Sequence, residues 1–348
     1  MTYSIARPEI VFIPHERKGD ILSQLAALLE VLVVIGASTL AVVAAGQFLN
    51  PGLVKALGFT GDPVDYLAAS LAMGKQFALQ YGVVLALVLA FAFLRGRKSL
   101  RSYALTTRPI GFLRLLMLGV IAGGILSIPT QSIFLAKEIW PLGKDTPLWT
   151  VMESNPWDRS FWIFAAVASF ALVPIIEELT WRSYALGRLL EAFKPGAAVF
   201  TITLCFALLH TQYLANGDAL GYLTMGALIF ISLFFALLTV TTGSVMPAII
   251  AHAIVNIPMS FDAGAVRLAV GLVLLVVFIQ PVLRYVRLLF SSVFNWDTLI
   301  AILLLAAMTG AAIFTLLQGI SPMIILAGLA LLSLALSAFS KSAWRQTT

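Results

Sequence analysis

Apolar residues occur in long unbroken runs along this chain, separated by short segments that hold most of the charged residues. A helix that crosses a bilayer needs roughly 20 apolar residues, and about ten runs approach that length: 21–48, 76–94, 110–136, 160–176, 196–213, 219–240, 244–259, 266–283, 299–317 and 322–339. A membrane β-barrel would alternate apolar and polar positions instead. The pattern predicts an all-α fold, a polytopic bundle of eight to ten transmembrane helices.

Composition agrees with a membrane protein. Of the 348 residues, 60% are hydrophobic and 11% are charged, whereas a soluble domain carries about 25% charged residues. The mean hydropathy is +0.99. Inside a bilayer the backbone must satisfy its own hydrogen bonds, which long apolar helices do. The single cysteine, Cys205, excludes a disulfide within the chain.

The basic residues divide unequally between the two sets of loops that ten spans would create. The richer set is Arg7, Arg17, Lys18, Arg95, Arg97, Lys98, Arg101, Arg108, Arg182, Arg188, Lys194, Arg284, Arg287, Lys341 and Arg345. The poorer set is Lys55, Lys75, Lys137, Lys144, Arg159 and Arg267. Because the richer side faces the cytoplasm, we expect both termini inside, in a plasma (inner) membrane. The net charge of +6 is then explained by basic residues in the loops that set the membrane topology. Nucleic acid is not an expected partner.

Two segments suggest local arrangements. Residues 183–193 are amphipathic, which predicts a helix lying along the inner membrane interface. Gly119 and Gly123 form a GxxxG pair in the third run, and we interpret this pair as a close contact between helices.

Ionisable residues are rare inside the apolar runs, and each one is costly enough to need a reason. They are Glu30, Arg114, Glu177, Glu178, Arg182, His210 and His252. Two of the three histidines are in this group. For Glu30 three placements stay open: it reaches the interface, pairs with Arg114, or lines the site.

The first polar cluster ends the fourth run with the sequence Glu177-Glu178-Leu-Thr-Trp-Arg182. Glu178 and Arg182 are spaced i,i+4, so they can pair on one helical face. Glu177 points about 100° away from Glu178, since a helix has 3.6 residues per turn. An unpaired carboxylate in an apolar site can act as a general base. The alternative is that both acids merely mark the membrane interface.

Two further clusters follow at membrane depth. In Phe206-Ala-Leu-Leu-His210, the aromatic ring and the imidazole share a helical face, although a lone histidine in such a run is often a packing residue. In His252-Ala-Ile-Val-Asn256, an imidazole and a carboxamide share a face and can stabilise an oxyanion. That pair can also hold two helices together. Together the three clusters supply a carboxylate base, two imidazoles and a carboxamide. These groups can activate a water molecule and stabilise the oxyanion that forms when it attacks a peptide carbonyl.

The order EExxxR, FxxxH and HxxxN resembles the CPBP family, which groups CAAX prenyl endopeptidases of the Rce1 type with bacteriocin-processing or immunity-linked proteases. The resemblance implies a membrane-embedded catalytic core at 160–262, flanked by further spans and loops at 1–159 and 263–348. Its substrate would be a membrane-associated or lipidated peptide or protein. The family often has Phe-Arg-Gly where this chain has Trp181-Arg182-Ser183.

By this resemblance Glu177 activates the water, His210 assists, and His252 and Asn256 form the oxyanion site. Glu178, Arg182 and Phe206 support them. A metal-independent glutamate mechanism without a cofactor is favoured, because the chain lacks an HExxH motif. In the zinc alternative, Glu177, His210 and His252 would be the ligands.

A non-enzymatic role is the competing hypothesis: a membrane scaffold, an immunity factor or a proton-coupled transporter. Intramembrane acids and histidines also serve proton transport, but transporters often contain paired repeats of broken helices, and no such pairing is visible here. A Glu177→Gln protein that retains its biological effect would argue for this hypothesis. The sequence favours an intramembrane endopeptidase.

Overall fold

The protein is all-helical wherever its structure is described. A computed structural model describes residues 20–94, 103–107, 110–144, 150–152, 158–258, 260–294 and 296–345, without the side chains of 47–50 and 339–345. Within these ranges there is no strand. The helices are α1 (Ile21–Ala56), α2 (Tyr66–Leu94), α3 (Phe112–Lys137), α4 (Arg159–Leu189), α5 (Pro195–Leu208), α6 (Ala219–Thr242), α7 (Met246–Val255), α8 (Phe261–Val277), α9 (Ile279–Val293), α10 (Trp296–Leu317) and α11 (Pro322–Arg345).

Six described helices are long and apolar enough to cross a membrane: α1, α2, α3, α4, α6 and α10. The pair α8 and α9 makes a seventh if it counts as one span, although the two helices meet at an 81° bend. The chain is therefore an integral membrane protein, but the predicted number of about ten spans is not confirmed. Helix α7 has only 10 residues, which at 1.5 Å per residue is far shorter than the bilayer core.

The short helices α5 and α7 are apolar because they are buried in protein. Ala197 and Ile202 of α5 and Ala248 and Ala251 of α7 are completely inaccessible. A hydropathy pattern responds equally to lipid and to a protein interior, so both helices resembled spans in the sequence.

Helix α7 packs closely against α3 at the GxxxG pair. A Cβ atom added to Gly119 would lie 2.7 Å from Cβ of Ile250, and one added to Gly123 would lie 2.8 Å from Cβ of Ile254. The interpretation of the pair as a close helix contact is confirmed. Since α7 carries His252 and Asn256, these glycines also fix the position of two predicted site residues.

Replacing Gly123 by alanine is therefore expected to push α7 away from α3. The new methyl would also lie 3.0 Å from Cα of Ala251, and overpacking of this kind typically costs about 1–3 kcal/mol. Thermal unfolding of the purified protein measures the loss. Gly82→Ala in α2 is the matched control, because nothing lies within 4 Å of its added methyl. Equal unfolding temperatures for the two variants would show that the contact is not tight.

Glu30 of α1 lies in a buried ion pair with α4. It is fully inaccessible, and its Oε2 accepts a 2.9 Å hydrogen bond from Nε of Arg188. The Tyr184 hydroxyl donates to the other carboxylate oxygen. Of the three placements left open, pairing with Arg114 is wrong, and Glu30 is not among the residues that line the predicted site.

The interfacial helix predicted for residues 183–193 is wrong. This segment continues α4 into the core, where Leu186 and Leu189 are completely buried and Arg188 meets Glu30. Its amphipathic pattern reflects a buried ion pair rather than a membrane surface. An amphipathic helix does occur at α9, where Arg284 and Arg287 are exposed and Leu288 packs inward.

Candidate active site

The four residues predicted to do the chemistry lie around one cavity. Its volume is about 390 Å³, and its walls include Glu177 of α4, His210 just after α5, and His252 and Asn256 at the end of α7. The expected convergence is thus observed in the structure. The catalytic roles of these residues stay predictions.

The two adjacent glutamates face different surroundings. The Glu177 side chain is 14% exposed and faces the cavity, whereas Glu178 is fully buried. Glu178 Oε1 accepts from Arg182 Nη1 at 2.9 Å, which confirms the predicted i,i+4 pair. The same oxygen accepts from His252 Nδ1 at 2.8 Å. Glu178 therefore orients an imidazole as well as pairing with a guanidinium.

Arg182 is completely buried and is held on three sides. Its Nη2 donates to Ser232 Oγ at 2.7 Å. Its guanidinium lies 4.2 Å from the centroid of the Phe206 ring and 5.6 Å from that of Phe235. Cation–π contacts of this type strengthen when they are desolvated. The predicted supporting position of Phe206 thus has a physical basis in Arg182.

Helix α6 supplies side chains that the sequence analysis missed. Ser232 binds Arg182, and the Phe235 ring stacks on His252 with 5.1 Å between centroids. Both residues lie in an uninterrupted apolar run without a motif. Nothing in the sequence distinguished them from ordinary span residues.

Hydrogen bonds set the orientation of both imidazoles. His210 Nδ1 donates to the Phe206 carbonyl at 2.9 Å, because a carbonyl oxygen can only accept. His252 Nδ1 donates to Glu178. In each neutral ring Nε2 is then the nitrogen that can take a proton. His252 Nε2 lies 3.9 Å from Glu177 Oε2, too far for a direct hydrogen bond.

Asn256 is clamped to α4 by Ser169. Ser169 Oγ donates to the Asn256 carbonyl at 2.7 Å, and Asn256 Nδ2 donates to the Ser169 carbonyl at 3.3 Å. That carbonyl lies in a π-helical turn, Ala166–Phe170. In a π register the N–H of residue 174 would bind it, but Pro174 has none. The proline thereby leaves a backbone acceptor for a site residue.

Helix α2 contributes one further group. The Tyr81 side chain lies close enough to the Glu177 carboxylate for the two groups to interact electrostatically. No sequence signal marks Tyr81, because it lies 96 positions before Glu177, in a run with no other ionisable group near it. A span outside the motif region therefore lies near the predicted base.

The zinc alternative requires Glu177, His210 and His252 to lie close enough together to bind one metal ion. Among the described residues, no three His, Cys, Asp or Glu side chains are grouped so that they could hold a metal ion. Glu177, His210 and His252 nevertheless line one cavity, and each imidazole uses Nδ1 for a protein hydrogen bond, which leaves Nε2 as the nitrogen that could bind a metal. The zinc alternative therefore stays a prediction.

Comparison with known proteins agrees with the family resemblance predicted from the three motifs. Residues 159–258 match the family model of the Rce1-like type II CAAX prenyl endopeptidases. No curated protein and no solved structure matched the chain. The matched segment contains all three motifs and every cavity residue to which a chemical role is assigned. Residues 159–258 are therefore an Rce1-like domain, which supports an intramembrane endopeptidase of the CAAX type in general.

Proposed function

We propose that the protein is an intramembrane endopeptidase in which Glu177 activates a water molecule. The observation that carries the proposal is the pairing of the Glu177 carboxylate with His252 Nε2 across 3.9 Å at the cavity wall. A water between two such groups can donate to one and remain within reach of the other. Neither group has the other as a direct hydrogen-bond partner, so both stay available to that water.

In the proposed reaction, each residue at the cavity wall has one role. Glu177 takes a proton as the water oxygen attacks the carbonyl carbon of the peptide bond. Asn256 uses one Nδ2 hydrogen on the Ser169 carbonyl, and the second is available to the developing oxyanion. Because the hydrogen of neutral His252 is on Nδ1, its Nε2 cannot donate to the oxyanion as the resemblance implies. We assign it instead to relay the proton from Glu177 to the leaving nitrogen, with assistance from His210. The C–N bond then breaks to give a carboxylic acid and an amine.

The location of the cavity supports a membrane-associated or lipidated substrate. The cavity lies among α4, α5, α6 and α7, and its apolar walls include Leu228, Ile231 and Val255. Apolar walls of this kind suit an apolar substrate and lower the local dielectric constant, which strengthens the electrostatic stabilisation of an oxyanion.

A cleavage assay with the purified protein and a library of membrane peptides tests the proposal. We expect wild type to cleave, a chelator to leave cleavage intact, and Glu177→Gln to slow it by about 10³-fold, with products identified by mass spectrometry. Loss of cleavage in both the chelator-treated and the Glu177→Gln samples would favour a bound metal. Cleavage at a rate close to that of wild type in Glu177→Gln protein, prepared free of contaminating protease, would show that Glu177 is not the base.

A further inference from the structure

Helix α9 turns away from a helix that follows a membrane span. A Cβ atom added to Gly264 of α8 would lie 3.0 Å from Oε1 of Gln131, and one added to Gly271 would lie 2.7 Å from the carbonyl oxygen of Gly124. These contacts advance seven positions along α8 and return seven positions along α3, so the two helices run side by side. The axis of α9 is bent by 81° from that of α8. Helix α9 therefore lies close to the membrane plane.

The C-terminal end of α9 lies at the level where the next span begins. Helix α10 is long and apolar enough to cross a membrane, and it starts at Trp296, three positions after α9 ends at Val293. Trp296 is exposed, and the adjacent Asp297 forms a 2.9 Å ion pair with the exposed Lys194. Tryptophan is typical of the boundary between lipid and water. Helix α9 is thus an interfacial helix.

The side chains of α9 form an inner face and an apolar edge. Tyr285, Leu288 and Leu289 pack inward against the protein core. Leu283 and Phe290 are exposed instead. Seven residues make almost two helical turns, so these two side chains lie on the same edge of the helix. An apolar edge on an interfacial helix contacts lipid acyl chains.

A basic strip lies beside this apolar edge. It consists of Arg284 and Arg287, which are exposed and one helical turn apart. No carboxylate of the described residues forms an ion pair with either guanidinium. Both groups are therefore available to an external anion.

The acids around α9 do not neutralise the basic strip. Helices α5 and α6, against which α9 packs, contain no acidic residue. Asp262 of α8 lies at the end of that helix away from the bend. Asp297 is paired with Lys194, and Glu191, before α5, is paired with Arg188. The strip thus has two cations without an acid of their own.

We propose that α9 binds the headgroups of anionic phospholipids through Arg284 and Arg287. A guanidinium recognises phosphate oxygens with paired N–H donors, and the apolar edge places Leu283 and Phe290 beside the acyl chains of the same lipid. Both arginines belong to the loop set that is predicted to face the cytoplasm, and the cytoplasmic leaflet has a negative surface potential. This binding goes beyond the proposed peptidase activity and does not depend on it.

Lipid selection by the full-length protein is the test. Immobilised, detergent-solubilised protein is equilibrated with mixed micelles that contain equal amounts of phosphatidylglycerol and phosphatidylcholine with the same acyl chains. Mass spectrometry then counts the lipids retained after a wash, at low and at high salt. We expect wild type to retain about tenfold more phosphatidylglycerol at low salt, and a smaller excess at high salt. Arg284→Gln/Arg287→Gln protein should lose most of this excess.

Lys55→Gln/Lys75→Gln is the matched control, because it also removes two exposed positive charges, from α1 and α2. It should retain the lipids in the wild-type ratio. The proposal is overturned if the double arginine variant keeps the wild-type ratio, or if the lysine control loses as much of it. Glycerophosphoglycerol, the same headgroup without acyl chains, should not displace the lipid at equal concentration. Displacement would assign the strip to a free phosphate ester and would contradict lipid binding.

Discussion

Removing Glu177 and His252 together is expected to slow cleavage no more than removing Glu177 alone. Glu177→Gln should lower kcat by about 10³-fold, since it deletes the general base that takes the proton of the attacking water. His252→Gln should cost a comparable factor. The two side chains face the same 3.9 Å gap, so neither can work on the water without the other. Residues that act as a unit show strongly non-additive losses.

The measurement is a double-mutant cycle on kcat/KM with one cleavable peptide. Glu138→Gln, an exposed acid that does not line the cavity, is the control and should leave the rate unchanged. Multiplicative losses in the double variant would mean that Glu177 and His252 act on separate steps. The shared-water arrangement would then be wrong even if both residues are essential.

Replacing Arg182 by methionine is expected to lower the free energy of unfolding by about 3–5 kcal/mol, because removal of one partner leaves a buried charge without compensation. Glu178 is fully buried and would keep only its hydrogen bond from His252. The cation–π contact with Phe206 would be lost as well. Denaturant or thermal unfolding of the detergent-solubilised protein measures the change.

A second substitution shows whether charge or packing is responsible. Glu178→Gln/Arg182→Met removes both charges, so it should recover most of the lost stability. Arg284→Met on the exposed face of α9 should change little. If the double variant is as unstable as Arg182→Met, the loss comes from the shape of the guanidinium between its aromatic neighbours and not from an uncompensated carboxylate.

The motifs predicted the local part of the site because helical spacing is a local property. Glu178 and Arg182 are one helical turn apart, and their ion pair follows from that spacing alone. The divergence of Glu177 from Glu178 follows from the same 3.6-residue period. The shared face of Phe206 and His210 appears as rings 4.5 Å apart.

The contacts between helices could not be predicted from the sequence, because a single sequence does not indicate which spans are neighbours. Glu178 and His252 are 74 positions apart, and Ser169 and Asn256 are 87 apart. Ser232, Phe235 and Tyr81 lie in apolar runs where no motif marks them. The span count is not confirmed for a related reason, since hydropathy does not separate a helix inside lipid from one inside protein.

The Glu30–Arg188 pair has a consequence for the order in which this protein is made. The two residues are 158 positions apart, so α1 leaves the ribosome and reaches the bilayer before its cation has been synthesised. During that interval the carboxylate lies in the middle of an apolar helix, where an ionisable group is costly in lipid. Entry of the first helix into lipid therefore becomes more favourable once the fourth helix brings Arg188, so we expect the two helices to stabilise each other during membrane insertion.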